Sequence, residues 1–277
     1  MLFRSEVIDF GLILMTNTAF LVALVLTGLL RRYALRANLM DVAGERSSHD
    51  TPTPRGGGAS IVLVTLAGLL VAPVLLGTPW SMAIGLSGGG AAVALIGWFD
   101  DHGHVSPLIR LAAHFFAAIW LIAWLGPFPL DRFWAIDGIH AAVSIILTVL
   151  YVVWMINLYN FMDGIDGLAA GEAIVVVLAG VLIMLGGNVG SPAILGPPLL
   201  VAASALGFLP WNWPPARIFM GDASSGFLGF ILAALAVGMG QVLPQYGFAW
   251  AVLPGVFIGM FLHKHLVTAL GQKFSLT

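Results

Sequence analysis

Residues 11–30 read GLILMTNTAFLVALVLTGLL, a run without a charged side chain, and Arg31-Arg32 follow it directly. A helix that crosses a membrane needs roughly 17–25 mostly apolar residues. The run is too long and too evenly apolar for a cleaved signal peptide, and the two arginines are typical of a stop-transfer signal. This stretch therefore predicts a transmembrane helix near the start of the chain.

The composition of the whole chain agrees with a membrane protein. Of 277 residues, 60% are hydrophobic and only 9% are charged, whereas a soluble domain carries about 25% charged residues. The net charge of −2 gives no long-range attraction to polyanions such as nucleic acids. The chain has no cysteine, which excludes disulfides, thiolate metal sites and a cysteine nucleophile. The sequence thus indicates an integral protein of the lipid bilayer and excludes a soluble enzyme, a disordered chain and a nucleic-acid binder.

Uncharged runs bounded by charges or by Pro/Gly clusters predict an all-α polytopic bundle of about nine spans, in one domain over residues 1–277. The predicted spans are Gly11–Leu30, Ala59–Leu76, Ser81–Phe99, Leu108–Leu125, Ala141–Ile156, Ala169–Leu185, Pro197–Leu209, Ser225–Met239 and Phe248–Leu262. With the N-terminus outside, only Arg4 and Arg132 of the 11 basic residues fall on the outer side. Because basic residues collect on the cytoplasmic side, we predict an outer N-terminus and a cytoplasmic C-terminus.

Five aspartates lie at the inner ends of predicted spans. Asp100-Asp101 follow the third span, Asp163 and Asp166 follow the fifth, and Asp222 follows the seventh. All three spans run from outside to inside, so the acids should converge on the cytoplasmic face. Charges at membrane level are costly, and their clustering there marks a functional site by default.

The sequence around these acids indicates phosphate and metal chemistry. The stretches Asn157–Leu168 (NLYNFMDGIDGL) and Phe219–Gly226 (FMGDASSG) combine carboxylates, amides and glycines. Carboxylate and amide oxygens suit Mg²⁺ or Mn²⁺, and glycines let backbone amides approach a phosphate at a helix start. We predict a metal-assisted phosphoryl-transfer site.

The first inner loop, residues 41–58 (DVAGERSSHDTPTPRGGG), is a second polar region. Arg46, His49 and Arg55 could bind phosphate oxygens, or the segment could be a solvated loop with ordinary inner-side arginines. Two polar residues within predicted spans receive structural roles: a helix-packing hydrogen bond for His114, and a first-turn acid that offsets the helix dipole for Glu172.

Four motifs in order carry a resemblance to a known family. They are the loop with Arg46, His49, Pro54, Gly56 and Gly57, the pair Asp100-Asp101, the run from Asn157 to Ala169 and the run from Phe219 to Gly229. The pattern resembles the polyprenyl-phosphate N-acetylhexosamine-1-phosphate transferases, of the glycosyltransferase family 4 type, over about residues 10–255. The continuation Asp101–His104 resembles the branch that starts O-antigen synthesis.

The resemblance implies a reaction and a location. A UDP-N-acetylhexosamine would give its sugar-1-phosphate to undecaprenyl phosphate, which releases UMP and starts a lipid-linked O-antigen or a related cell-envelope polysaccharide such as cell-wall glycan. It implies Mg²⁺, or Mn²⁺, as the cofactor, a bacterial inner (plasma) membrane enzyme with a cytoplasmic active site, and a homodimer as a possible assembly.

The resemblance also implies residue roles. Asp100, Asp101 and Asp163 would be catalytic, with the Asp100-Asp101 pair where the lipid phosphate attacks. Either one of the pair acts as a base, or positioning and charge neutralisation matter more, because a phosphate monoester is already largely ionised at neutral pH. Asp222 and Asn160 would bind the metal. The substrate-binding residues would be Arg46, His49, Asn157, Asn160, Asp166 and Phe219. Phe219 would stack on uracil, or else be a buried aromatic at a span end.

The sequence departs from the family pattern at two places. Ser224 stands where the family has glycine after the Asp222 position, so a Cβ is added where close approach is expected, and the local fit should suffer. Relatives continue beyond about residue 262 with further spans and a loop with arginine and histidine, whereas this sequence ends at Thr277. We expect the C-terminal part of the family fold to be missing, and a catalytically impaired member is an alternative.

Three other functions compete. A CDP-alcohol phosphatidyltransferase would share Asp163, Asp166 and Gly167, but Gly171 replaces its arginine and Met184 stands where an aspartate is required. An ion-coupled transporter would place its acids near the bilayer midplane rather than at span ends. In a structural scaffold the aspartates would be incidental.

Overall fold

The computed structural model describes residues 9–41, 52–103, 105–134, 141–247 and 249–254. In these ranges nine helices have defined bounds, and all but the short α5 are long and apolar enough to cross a membrane; residues 244–247 and 249–254 are helical as well. The nine helices are α1 (Phe10–Arg36), α2 (Ala59–Leu76), α3 (Trp80–His102), α4 (Pro107–Leu125), α5 (Leu130–Trp134), α6 (Ala141–Met162), α7 (Leu168–Gly186), α8 (Pro192–Asn212) and α9 (Asp222–Val242). Two short strands, β1 (Met40–Asp41) and β2 (Thr53–Pro54), pair antiparallel.

The predicted all-α polytopic bundle is confirmed, with shifts at several span ends. Helix α2 has the predicted bounds, whereas α6 continues past Ile156 to Met162. Of the predicted ninth span, residues 249–254 are helical, and its other residues lie outside the described ranges. The orientation of the termini stays a prediction.

The predicted start of the seventh span at Pro197 is wrong, because α8 already begins at Pro192. A proline inside a helix has no N–H for the carbonyl four residues earlier, which here belongs to Ala193. The hydroxyl of Thr78 donates to that carbonyl at 2.9 Å. A neighbouring polar side chain thus satisfies the freed backbone oxygen, as membrane helices with proline require.

Helix α9 forms the centre of the bundle, and residues 223–240 are all buried. Glycines allow its neighbours to approach: a Cβ on Gly97 of α3 would lie 2.6 Å from the carbonyl oxygen of Asp222. A Cβ on Gly229 of α9 would likewise clash with the backbone of α6 at Met155. Small residues at such contacts are the usual basis of helix packing in membranes.

Most of the charged side chains in the described ranges lie at one end of the bundle. Since successive spans alternate in direction, this end holds the C-termini of α1, α3, α6 and α8 and the N-termini of α2, α4, α7 and α9. All five aspartates of the predicted site lie there. At the opposite end are Asp9, at the start of α1, and Asp131 and Arg132, beside the C-terminal part of α9. Glu172 lies past the first turn of α7 and is buried, so its predicted first-turn role is wrong.

Candidate active site

The N-terminus of α9 is capped by a carboxylate from another helix. Asp101, at the end of α3, accepts the N–H groups of Asp222 at 3.1 Å and Ala223 at 3.2 Å. The first N–H groups of a helix have no partner within it, and a negative charge there also opposes the helix dipole. Both carboxylate oxygens of Asp101 therefore hold α9 in place, and a role of Asp101 as a base stays a prediction.

The glycine-rich first loop packs directly against the segment before α9. Gly57 and Gly58 donate their N–H groups to the carbonyls of Phe219 and Met220, at 2.9 and 3.1 Å, and Phe219 donates to Pro54 at 2.8 Å. The first and last motifs of the resemblance are therefore neighbours in space.

Gly221, which precedes α9, has no room for a side chain. Its φ is +89°, a region that favours glycine, and a Cβ there would lie 3.0 Å from Oδ2 of Asp101. Its N–H donates to Oδ2 of Asp163 at 3.1 Å. The glycine thus lets two carboxylates close around the start of α9.

Ser224 fits where a poor fit was expected, so that expectation is wrong. It is fully buried in α9, and its hydroxyl donates to the carbonyl of Met220 at 3.1 Å. A Cβ on Gly58 would lie 2.5 Å from the Ser224 Cβ. The missing side chain of Gly58 therefore provides the space that Ser224 fills.

Asn160 joins α6 to Asp222. Its amide nitrogen donates to Oδ1 of Asp222 at 2.8 Å and to the hydroxyl of Ser225 at 3.2 Å. These bonds fix the direction of the Asp222 carboxylate at the start of α9.

The described residues include oxygen donors that could form part of a metal site. Asp222 and Asn160 offer oxygen atoms of the kind that Mg²⁺ prefers, but no three acidic or histidine side chains of the described ranges form a group that could hold a metal by themselves. Mg²⁺ usually takes one or two carboxylates and fills its other positions with phosphate oxygens and water. The donor set therefore fits a metal that is bound together with a phosphate substrate.

The turn between α6 and α7 is fastened to the segment before α9 by its two aspartates. Asp163 accepts from Gly221, as described, and Asp166 accepts the N–H of Ala216 at 2.8 Å. The N–H of Gly167 donates to Oδ1 of Asn212 at 2.9 Å. The N–H groups of Gly167 and Gly221 therefore already bind protein oxygens and are not free to donate to a phosphate, as the sequence had suggested for glycines in these motifs.

The carboxylates lie close enough to repel one another. Burial raises the pKa of Asp163 well above its ordinary value, although the N–H of Gly221 opposes the change. The negative charges of Asp101, Asp166 and Asp222 raise that pKa further. A bound cation would offset this repulsion.

Arg110 is the basic residue paired with this acidic cluster. Its guanidinium lies 2.6 Å from Oδ2 of Asp100, and the other oxygen of Asp100 accepts the N–H of Val105 at 3.0 Å. Sequence analysis counted Arg110 only as an inner-side charge. The structure places it in the lining of the cleft beside Asp100, with 34% of its side chain exposed.

A cleft of about 320 Å³ lies between α3, α4, α6 and α9. Its polar lining residues are Asp100, Arg110, His114, Asn157, Asn160 and Asp222, and its apolar ones include Val93, Ile96, Leu111 and Ile156. A smaller cleft of about 110 Å³ on the other side of Asp101 is lined by residues that include Tyr33, Arg55, Trp98 and His102. The start of α9 is thus accessible from two sides.

The remaining predicted site residues differ in where they lie. Asn157 lines the larger cleft, and Phe219 is partly exposed beside the site, so it is not the buried aromatic of the structural alternative. Arg46 and His49 lie outside the described residues. His114 makes the predicted contact between helices, to Asn157, but also lines the cleft, which sequence analysis missed. Its spacing of four residues from Arg110 puts both on one face of α4, a signal that the sequence did contain.

Comparison with known proteins gives a family and several relatives. Residues 83–240 match Glycosyl transferase family 4. The chain is similar to a "Probable undecaprenyl-phosphate N-acetylglucosaminyl 1-phosphate transferase" of Bacillus subtilis, 31% identical over 227 residues, which are 78% of this chain and 60% of the relative. It is 34% identical over 243 residues to a "Decaprenyl-phosphate N-acetylglucosaminephosphotransferase" of Mycobacterium tuberculosis, with 78% and 57% covered. The chain spans about 60% of the length of these curated relatives.

Proposed function

The chain belongs to glycosyl transferase family 4, and we propose that it transfers an N-acetylhexosamine-1-phosphate from a UDP-sugar to undecaprenyl phosphate. The main support is the convergence of five aspartates around the start of α9, beside a cleft that is lined by both charged and apolar side chains. Such a cleft suits a phosphate that carries an apolar chain. The names of the similar proteins specify a prenyl phosphate and N-acetylglucosamine-1-phosphate.

The proposed reaction exchanges one phosphorus–oxygen bond for another. An oxygen of the lipid phosphate attacks the phosphorus that is bonded to the sugar, and the bond from that phosphorus to the UMP oxygen breaks. UMP leaves with the electron pair, and the lipid becomes a diphosphate. A phosphate monoester is largely ionised at neutral pH, so no proton has to be removed from it. Positioning and charge neutralisation can then supply most of the catalysis.

A dominant role for positioning and charge neutralisation agrees with the geometry of Asp100 and Asp101. Both oxygens of Asp101 accept from the backbone of α9, while Asp100 faces the cleft beside Arg110. An arginine has five N–H donors in a planar fork, so Arg110 can keep its bond to Asp100 and still bind a phosphate oxygen. We assign Arg110 to a phosphate group of one of the substrates.

Asp222 would hold Mg²⁺ or Mn²⁺, with Asn160 beside it. When bound, the ion would neutralise charge on the diphosphate as the bond to UMP breaks. The hydrogen bond from Asn160 orients the Asp222 carboxylate. The mutual repulsion around Asp163 supports a cation here, since it costs free energy that a cation would recover.

We place the site on the cytoplasmic face of a bacterial inner membrane. The support is that basic residues lie at the same end of the bundle as the aspartates, as the positive-inside tendency requires. These residues are Arg31, Arg32, Arg36, Arg55, Arg110 and Arg217. An O-antigen product and a homodimer stay predictions of the resemblance.

The alternatives lose most of their support. Family membership argues against a CDP-alcohol phosphatidyltransferase. The five aspartates lie at helix ends rather than at the midplane that a transporter site favours. The catalytically impaired member remains the alternative to test.

The test is a transfer assay with the purified full chain in detergent. Radiolabelled UDP-N-acetylglucosamine, undecaprenyl phosphate and Mg²⁺ should give label in the lipid fraction and an equal amount of UMP. Asp222→Asn should abolish transfer, whereas Asp131→Asn, an exposed acid at the opposite end of the bundle, should not change it. UMP binding without transfer would support the impaired alternative, and the absence of both would refute the proposed function.

A further inference from the structure

His114 lies in the larger cleft, on the face of α4 that also carries Arg110. Arg110 is nearer to the start of α4, so His114 is about one turn deeper in the bundle. The cleft around it includes the apolar side chains of Leu111 and Ile156. A polar group among apolar walls can recognise a ligand strongly, because it fixes the ligand's orientation.

Asn157 determines which nitrogen of His114 carries the proton. The amide nitrogen of Asn157 donates to the carbonyl of Val153 at 2.7 Å and lies 3.4 Å from Nδ1 of His114. A flipped amide would bring its oxygen against the Val153 carbonyl, so the assignment of the nitrogen is settled by repulsion. An amide nitrogen only donates, so a hydrogen bond at this contact requires the tautomer in which Nδ1 of His114 accepts.

This arrangement makes His114 a neutral donor. With Nδ1 accepting, the single ring proton is on Nε2, and the Nε2–H edge is turned away from Asn157. Arg110 already supplies positive charge near the mouth of the cleft. The two residues together therefore offer a charged donor and, one turn deeper, an uncharged one.

We propose that His114 is a substrate-contacting residue whose Nε2–H donates to an oxygen of the phosphate ester bound between α4 and α6. The inference rests on the proposed function, because that function supplies the phosphate esters. Two substrates share this chemistry, the lipid phosphate and the nucleotide. An uncharged N–H donor suits an oxygen next to the anionic group of the phosphate ester. Arg110 would bind the anionic group itself.

Two variants distinguish the roles of the two ring nitrogens of His114. Glutamine can place an amide N–H near the position of Nε2, so His114→Gln should keep the donor. Asparagine can only reach the position of Nδ1, so His114→Asn should keep the contact to Asn157 and lose the donor. Farnesyl phosphate and UMP, each with Mg²⁺, are titrated against the purified full chain in detergent. We expect His114→Asn to weaken binding of one of the two by about tenfold, the value of one good hydrogen bond.

The affected ligand identifies the substrate. A loss for farnesyl phosphate alone assigns His114 to the lipid phosphate, and a loss for UMP alone assigns it to the nucleotide. His114→Gln should bind both within about twofold of the wild type, a difference smaller than one hydrogen bond. If His114→Asn fails to fold, His114→Phe keeps the ring volume, removes both nitrogens and should show the same loss.

Failure of the inference and failure of the proposed function look different. If the wild type binds both ligands and the Asn and Phe variants bind them equally well, the assignment of His114 is refuted and the proposed function stands. If the wild type binds neither ligand, the proposed function is refuted, and the assignment of His114 with it.

Discussion

The cap that Asp101 places on α9 can be separated from a role as a base by changing it to asparagine. Asparagine has the same shape, but only one of its two terminal atoms accepts hydrogen bonds. The N–H groups of Asp222 and Ala223 both donate to the Asp101 carboxylate. Asp101→Asn therefore keeps one of these bonds and turns an amide group against the other N–H.

The size of the effect follows from the bond that is lost. A hydrogen bond to a charged group contributes roughly 1.5–3 kcal/mol, and the charge at the helix start adds about 0.3–1 kcal/mol. Removing one negative charge also relieves repulsion with neighbouring carboxylates such as Asp163. We expect a net loss of stability of roughly 1–2 kcal/mol, which lowers the unfolding temperature by a few degrees.

Thermal unfolding in detergent and the transfer assay measure the two roles separately. If Asp101 only positions α9, transfer should fall by about tenfold or less, whereas loss of a general base costs roughly 10²–10⁴-fold. Asp131→Asn, exposed at the other end, controls for the loss of one charge. An unchanged unfolding temperature together with abolished transfer would refute the capping role of Asp101 and support its role as a base.

Three further predictions test other parts of the site. Gly58→Ala should destabilise the protein by about 1–3 kcal/mol through a clash with Ser224, and Ser224→Gly in the same chain should recover part of that loss, measured by a double-mutant cycle of unfolding temperatures. Arg110→Gln should weaken farnesyl phosphate binding by about tenfold or more, with Arg110→Lys between it and the wild type, in the titration described above. Mn²⁺ binding, followed by electron paramagnetic resonance, should weaken as pH falls, because the raised pKa of Asp163 lets it take up a proton at a higher pH than an ordinary aspartate, which removes a negative charge beside the proposed cation; a flat profile would contradict this.

Hydropathy predicted the spans because lipid forces every backbone polar group to be satisfied within a helix. The bounds of α2 were predicted correctly because glycines, Gly58 and Gly77, flank its apolar run. The start of α8 could not be predicted, because the contact that makes Pro197 acceptable comes from Thr78, far away in the sequence. A local pattern cannot show such a partner.

The site was predictable to the extent that topology determines it. Alternating spans bring Asp100, Asp163 and Asp222 to one end, whatever the details of packing. Which carboxylate caps a helix and which faces a cleft depends on the rotation of each helix about its axis. A local sequence pattern does not show that rotation, so the cap by Asp101 and the ion pair of Arg110 with Asp100 were not predicted.

The capping pattern changes how a phosphate can bind at this site. The start of a helix is ordinarily a good anion site, because its N–H groups are free and its dipole is positive there. In this protein the N–H groups of Gly221, Asp222 and Ala223 already donate to Asp163 and Asp101. A phosphate that approached α9 would also meet the carboxylates themselves. Its charge must therefore be balanced by other groups. Arg110 lies beside Asp100 in the cleft, and the cation that we propose for Asp222 would add positive charge. Under the proposed function, an acidic cluster can serve phosphate chemistry because the carboxylates fix the backbone and would attract the cation, and the cation would attract the phosphate.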